Sequence, residues 1–221
     1  MQALAPDIRP DIAAAFSSAA YWEARYRAGG HSGAGSHGRL AAFKADFVNA
    51  FVALNRIGRV IEFGCGDCRQ LSLFDIPDYT GVDVSPTVLG QCRARFPDRH
   101  FLDHAGLAAL PPAELTLSLD VVFHLVEDAV FEAYMRDLFA FATDYVIVYA
   151  SDRDSSTADR HVRHRHVSAH VAGTQPHWSL LARVPNRYPF DPRFPNDTSF
   201  ADFMVFGQGQ RGCRLAIPDR S

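Results

Sequence analysis

Two acidic residues and two glycines carry the strongest chemical signal in this chain. In the segment Val60-Ile61-Glu62-Phe63-Gly64-Cys65-Gly66-Asp67, Gly64 and Gly66 follow a short apolar run. They permit a tight turn and a close approach of backbone to a ligand. A dinucleotide fingerprint needs a third glycine, and Arg69 stands in that place. Glu62, two residues before Gly64, would repel a phosphate but suits an ammonium or a sulfonium. Asp83 closes the segment Tyr79-Thr80-Gly81-Val82-Asp83, about 20 residues after the glycine loop, where a ribose-binding carboxylate is expected. Loop and acids together point to a cationic, phosphate-free ligand that carries a ribose. A glycine turn with an unrelated surface aspartate is the competing explanation.

Other candidates are histidines and cysteines. His124 follows the apolar segment Leu115–Leu119 and suits a general base near neutral pH, or else packs beneath the next helix. His161, His164 and His166 alternate with Arg160, Arg163 and Arg165. This pattern fits a metal site completed by Asp152, Asp154 or Asp159, an anion clamp, or a solvated loop. Cys65 and Cys68 have the C-x-x-C spacing of redox or zinc motifs. No second such pair follows, so the match reads as incidental and all four cysteines, with Cys92 and Cys213, as thiols.

Composition removes several function classes. The formal net charge of −3 gives no basic field for nucleic acid. No Gly-x-x-x-x-Gly-Lys motif exists, and Lys44 is the sole lysine, in an apolar helical stretch unsuited to Schiff-base chemistry. No apolar run reaches the roughly 18 residues of a membrane span. The first ten residues do not resemble a signal peptide, so the expected location is the cytoplasm.

The elements that must position these groups alternate between strand and helix patterns. Residues 12–26 read as a helix bearing Phe16, Tyr21, Trp22 and Tyr26, with Trp22 in the core. Five glycines in Ala28–Gly38 read as a mobile loop or lid. Leu40, Phe43, Phe47, Phe51 and Leu54 recur at helical spacing. Strands are expected at Arg59–Phe63, Asp78–Val82, His100–Leu102, Leu115–Leu119 and Tyr145–Tyr149, with helices from Pro86 and Glu127 between them. Trp178–Val184 and Phe203–Phe206 read as two closing strands. This alternation predicts an α/β, Rossmann-like fold: a seven-stranded, mostly parallel sheet with helices on both faces and an antiparallel C-terminal edge hairpin. The 221 residues suit a single domain. It divides into an N-terminal helical segment and lid (1–38), a cofactor-binding core (39–150), and a substrate-side insert with closing strands (151–221).

The order Val-Ile-Glu-Phe-Gly-Cys-Gly-Asp, Gly-Val-Asp-Val-Ser-Pro, Phe-Leu-Asp and Leu-Ser-Leu-Asp-Val-Val-Phe-His-Leu is similar to that of class I S-adenosylmethionine-dependent methyltransferases. The resemblance spans residues 58–150, and the flanks resemble a bacterial subgroup. It implies S-adenosylmethionine as cofactor and S-adenosylhomocysteine as product. Glu62, Gly64, Cys65 and Gly66 would hold the methionine part, Asp83 the ribose, Val84 and Asp103 the adenine, and Leu119 and Asp120 would border the sulfonium. Tyr21 and Arg25 would fold over the cofactor, with Arg25 on its carboxylate. Tyr26, His161, Arg163 and His164 would face the substrate, with His124 as catalytic base and no metal. The expected acceptor is a hydroxyl of a small molecule or glycan, with neither nucleic acid nor membrane as partner. A protein- or nitrogen-directed methyltransferase and a non-catalytic cofactor-binding scaffold remain the alternatives.

Overall fold

The computed structural model describes residues 16–156 and 159–216. Seven strands form one sheet: β1 (Arg59–Phe63), β2 (Asp78–Val82), β3 (His100–Leu102), β4 (Ala113–Leu119), β5 (Ala142–Ala150), and the closing pair. Two-residue strands β6 (Ser155–Ser156) and β7 (Arg163–His164) make a separate small hairpin. The closing strands are β8 (Trp178–Val184) and β9 (Asp202–Gln208). The order in the large sheet is β3-β2-β1-β4-β5-β9-β8. β1 to β5 pair in parallel, and β9 runs antiparallel to both β5 and β8. The expected architecture is therefore present, including the antiparallel edge.

Five α-helices accompany the sheet: α1 (Ser18–Arg27), α2 (Gly38–Asn55), α3 (Pro86–Arg95), α4 (Asp128–Ala140) and α5 (Val167–Thr174). The expected start of the first helix at Ile12 lies outside the described residues. α1 begins where the Ser17 side chain accepts a hydrogen bond from Ala20 N, and α3 where Ser85 caps and Pro86 opens the first turn.

Strand alternation divides the core between the two faces. On one face, Phe43, Phe47 and Phe51 of α2 pack on Val60, Leu115, Ile147 and Phe203. On the other, Phe131, Met135 and Leu138 of α4 pack on Ile61, Val146, Val148 and Met204. Chain order reverses between β1 and β4, so a crevice opens at the carboxyl ends of the parallel strands.

Candidate active site

A cavity of about 450 Å³ occupies that crevice, within the usual range for small-ligand sites. Its floor is the loop after β1. Gly64 and Gly66 lie at φ +76° and +54°, and a Cβ on either would collide with Val121 or Ser32 respectively. Both positions therefore demand glycine. Gly66 N donates to Asp83 Oδ2 at 3.0 Å, and Ser85 N to Asp83 Oδ1 at 3.0 Å. Asp83 is thus fixed at the end of β2 with lone pairs to spare. Burial pushes its carboxyl upward, opposed by these backbone donors. Val84 beside it is exposed and lines the cavity.

Glu62 ends up wholly enclosed. The Tyr79 hydroxyl donates to its Oε2 at 2.5 Å. Desolvation pushes its pKa up to about 7, although the Tyr79 hydrogen bond and the Lys44 charge pull the other way. Asp120, just past β4, sits at φ +60° and pairs with Lys44 Nζ at 2.5 Å. Lys44, 1 % exposed, is the only lysine or arginine lining the cavity among the described residues. It reaches across from α2, a role its apolar sequence setting did not signal. Gln70 is a second residue that motif spacing missed. Its Nε2 donates to Ala41 O, while Oε1 is buried without a partner and Gln70 lines the cavity. An orphaned acceptor on a residue lining the same cavity as Glu62 and Asp120 suits a ligand ammonium.

The roof is α1 and the glycine-rich loop. Ala19, Trp22 and Tyr26 line the cavity at helical spacing. The expected core position of Trp22 is corrected: it is half-buried and faces the cavity. Two carboxylates strap α1 down. Glu23 accepts from the Ser85 and Thr87 hydroxyls at 2.6 and 2.7 Å. Glu127 accepts from Ser18 N at 2.8 Å and from the Ser18 hydroxyl. The loop expected to be a mobile lid is docked instead. Ser32 N donates to Asp67 Oδ2, Asp67 N donates to Ser32 Oγ, and the Tyr26 hydroxyl meets Ser32 Oγ at 3.0 Å.

His124 lines the cavity with its Nδ1 3.0 Å from His161 O. A carbonyl only accepts, so Nδ1 carries the proton and Nε2 keeps the lone pair. Burial holds its pKa down at about 4, against the His161 carbonyl, which favours the charged form. The ring stacks on His161, which stacks on Tyr21, with centroids 5.4 and 4.8 Å apart.

Glu62, Gly64, Cys65, Gly66, Asp83, Val84, Leu119, Asp120, Tyr26 and His124 therefore converge on one cavity. The other expected site residues do not line it. Arg25 donates to His31 O at 2.7 Å and lies over the Trp22 ring rather than lining the cavity; Lys44 is the cation that lines it. Tyr21 stacks on His161 and meets the Trp22 ring edge-on, without lining the cavity itself. Asp103 is spent capping the short helix His104–Ala109, where it accepts from Gly106 N, and His104 lines the wall in its stead. Arg163 is no free anion clamp: it donates to Val126 O and pairs with Asp128. His164 is buried against Ser151 Oγ at 2.6 Å. Both border a separate hollow with Arg165 and His166. The thiol expectation also fails for two cysteines. Cys68 and Cys92 form a disulfide, while Cys65, the C-x-x-C neighbour, stays free.

Comparison of the sequence with protein-family models and with curated proteins finds no match. Solved structures do match. The methyltransferase domain of bacterial CtHen1-C superposes with a TM-score of 0.58 at 19 % identity, covering 76 % of this chain and 97 % of that one. Magnesium protoporphyrin IX methyltransferase (ChlM) from Synechocystis PCC 6803, with bound SAH, gives 0.61 at 16 % identity over 86 % and 97 %. The N-methyltransferase NodS from Bradyrhizobium japonicum WM9, also with SAH, gives 0.56 at 14 % over 76 % and 87 %. This chain has the Rossmann-like methyltransferase fold. Within that fold the carboxyl-end crevice is the place for a ligand, and it is where the cavity lies. Among the described residues no helix is long and apolar enough to cross a membrane.

Proposed function

We propose that this chain is an S-adenosylmethionine-dependent methyltransferase acting on a hydroxyl of a small molecule or glycan. One observation carries the reading: Glu62, Asp83, Asp120 and the Gly64–Gly66 backbone line a single cavity at the switch point of the sheet. The residues fit the cofactor. Asp83 would hold the ribose hydroxyls, Val84 and His104 would flank the adenine, and Lys44 would meet the carboxylate. Glu62, Asp120 and Gln70, whose Oε1 is buried without a partner, would take the ammonium. When bound, S-adenosylmethionine supplies a methyl carbon already activated by its sulfonium.

The chain itself aligns the acceptor and shields the site from water. α1, strapped at Glu23 and Glu127, closes the cavity over Trp22 and Tyr26. His124 Nε2 accepts the proton that the acceptor hydroxyl loses. Its low pKa keeps that lone pair free throughout the neutral range while making the ring a weaker base than an ordinary imidazole. Calorimetric titration with S-adenosylhomocysteine tests the cofactor reading. Micromolar binding that Asp83→Ala weakens supports it; no binding at millimolar ligand refutes it. Mass-shift screening of hydroxylated metabolites and sugar nucleotides then tests the acceptor. His124→Ala should lower turnover far more than cofactor affinity, and full turnover between pH 6 and 9 would remove the base assignment.

A further inference from the structure

Three sulfurs, those of Cys65, Cys68 and Cys92, lie within 4.8 Å of one another directly beneath the cofactor loop. They are 6, 0 and 1 % exposed. The cofactor reading uses Cys65 and gives Cys68 and Cys92 no task. Their placement does. Cys68 ends the loop that holds Gly64 and Gly66, and Cys92 lies on α3, the helix that follows Asp83. The disulfide therefore brackets β2 and ties together the two segments that line the methionine and ribose ends of the cavity. Cys65 forms part of the cavity wall itself.

We propose that Cys68 and Cys92 are a redox-controlled cross-link that sets the cofactor loop, so that affinity for S-adenosyl ligands depends on its oxidation state. The inference rests on the cofactor reading above. Its physical basis is spacing. A disulfide holds two sulfurs about 2 Å apart, whereas non-bonded heavy atoms settle at roughly 3.5–4 Å. Around sulfurs this deeply buried, little space is open to absorb the difference. The soft element is the loop Gly66–Arg69, with Cys68 at φ +57°, a left-handed conformation that a side chain disfavours. Reduction lets that residue leave it. The reduced state also has a partner waiting: Cys92 Sγ lies 3.2 Å from Gly66 O, to which a thiol can donate. Gly66 N is the donor that fixes Asp83, so a shift at Gly66 reaches the ribose-binding carboxylate directly. Cys65 keeps its proton because burial and the neighbouring acids Asp83 and Glu62 push its thiol well up. It remains the free thiol in both states.

The exchange balances with a low-molecular-mass disulfide of the glutathione class. One cysteine displaces a thiolate from the oxidant and forms a mixed disulfide. The second cysteine then displaces the other half, closing Cys68–Cys92. The two thiol protons leave with two molecules of reduced oxidant.

The test uses the full chain equilibrated in oxidised or reduced glutathione. Thiols are counted by alkylation after denaturing quench, and linked peptides are mapped. Two protected cysteines, mapped to 68 and 92, are expected under oxidising conditions and none under reducing conditions. Four reactive thiols in both buffers, or a link through Cys65, overturns the inference. S-adenosylhomocysteine is then titrated into each form. The dissociation constant should rise about tenfold or more on reduction. Cys92→Ser should match reduced wild type in either buffer, with circular dichroism confirming its fold. Equal affinity in the two states overturns the inference and leaves the cofactor reading standing. No binding in either state, with the cross-link formed normally, instead removes the cofactor reading and the inference with it.

Discussion

At the scale of the residue, the cavity is governed by carboxylates held out of water. The folded protein raises the pKa of Glu62 to about 7, so folding favours its protonated form. That contribution to stability is full below the unfolded carboxylate pKa and is lost as pH rises through 7. The ligand ammonium placed against Glu62 prefers the opposite, charged form. Affinity for S-adenosylhomocysteine should therefore rise between pH 5.5 and 8, with up to one proton released on binding at pH 6. Titration in buffers of different ionisation enthalpy measures that proton, and Glu62→Gln should abolish it. His124 has the reverse sign: its pKa is depressed to about 4. Its contribution is full above the unfolded value near 6.5 and is lost as pH falls toward 4. The rate profile should accordingly lack an acid limb at 6.5, which His124→Gln controls would confirm. Gln70→Leu removes the unpartnered Oε1 and should weaken S-adenosylhomocysteine binding about five- to tenfold, one hydrogen bond's worth, in the same calorimetric assay. Glu62 and Asp83 were legible from sequence because strand and loop place them within a few residues of the glycines. Lys44 and Gln70 were not, since only the packing of α2 on the loop brings them there.

At the scale of the element, periodicity was a reliable guide. Gly38–Asn55 carries the apolar stripe read from Leu40, Phe43, Phe47, Phe51 and Leu54; the first four are buried, and Leu54 near the helix end is exposed. What spacing could not show is which elements touch. The straps on α1 join residues 62 and 109 positions apart, and His124 takes its tautomer from a carbonyl 37 positions away. The same blindness explains the misplaced histidine–arginine cluster. Arg163 and Arg165 both donate to the backbone at Leu125 and Val126. They brace the segment carrying His124, while Arg165 Nε and Nη1 stay without a partner beside the separate hollow. α1 lines one side of the cavity, and if ligands exchange past it, loosening its straps should show in the off-rate. Glu23→Ala combined with Ser18→Ala removes the side-chain hydrogen bonds to Ser85, Thr87, Glu127 and Val126 and should speed S-adenosylhomocysteine dissociation at least several-fold in stopped-flow displacement. An unchanged rate would mean that ligands enter elsewhere.

At the scale of the whole molecule, the sheet is stitched together by its last strand. Phe203 of β9 stacks on Phe47 of α2 with centroids 4.1 Å apart and touches Tyr149 of β5 at 4.6 Å. Phe203→Ala should cost about 3–5 kcal/mol, read as a lowered midpoint in urea. The pairing of β9 between β5 and β8 also bears on how the chain is made. β8 precedes β9 in sequence yet reaches the sheet only through it. A nascent chain has every strand of the ligand crevice by Ala150, but the side of β5 stays bare until Asp202–Gln208 emerges. At ordinary elongation rates that interval is roughly 3–10 s. During it the ribosome-bound intermediate presents a long apolar strand edge, the kind of surface that invites pairing with another copy. Early capture of a ligand in the finished crevice would do nothing to cover it.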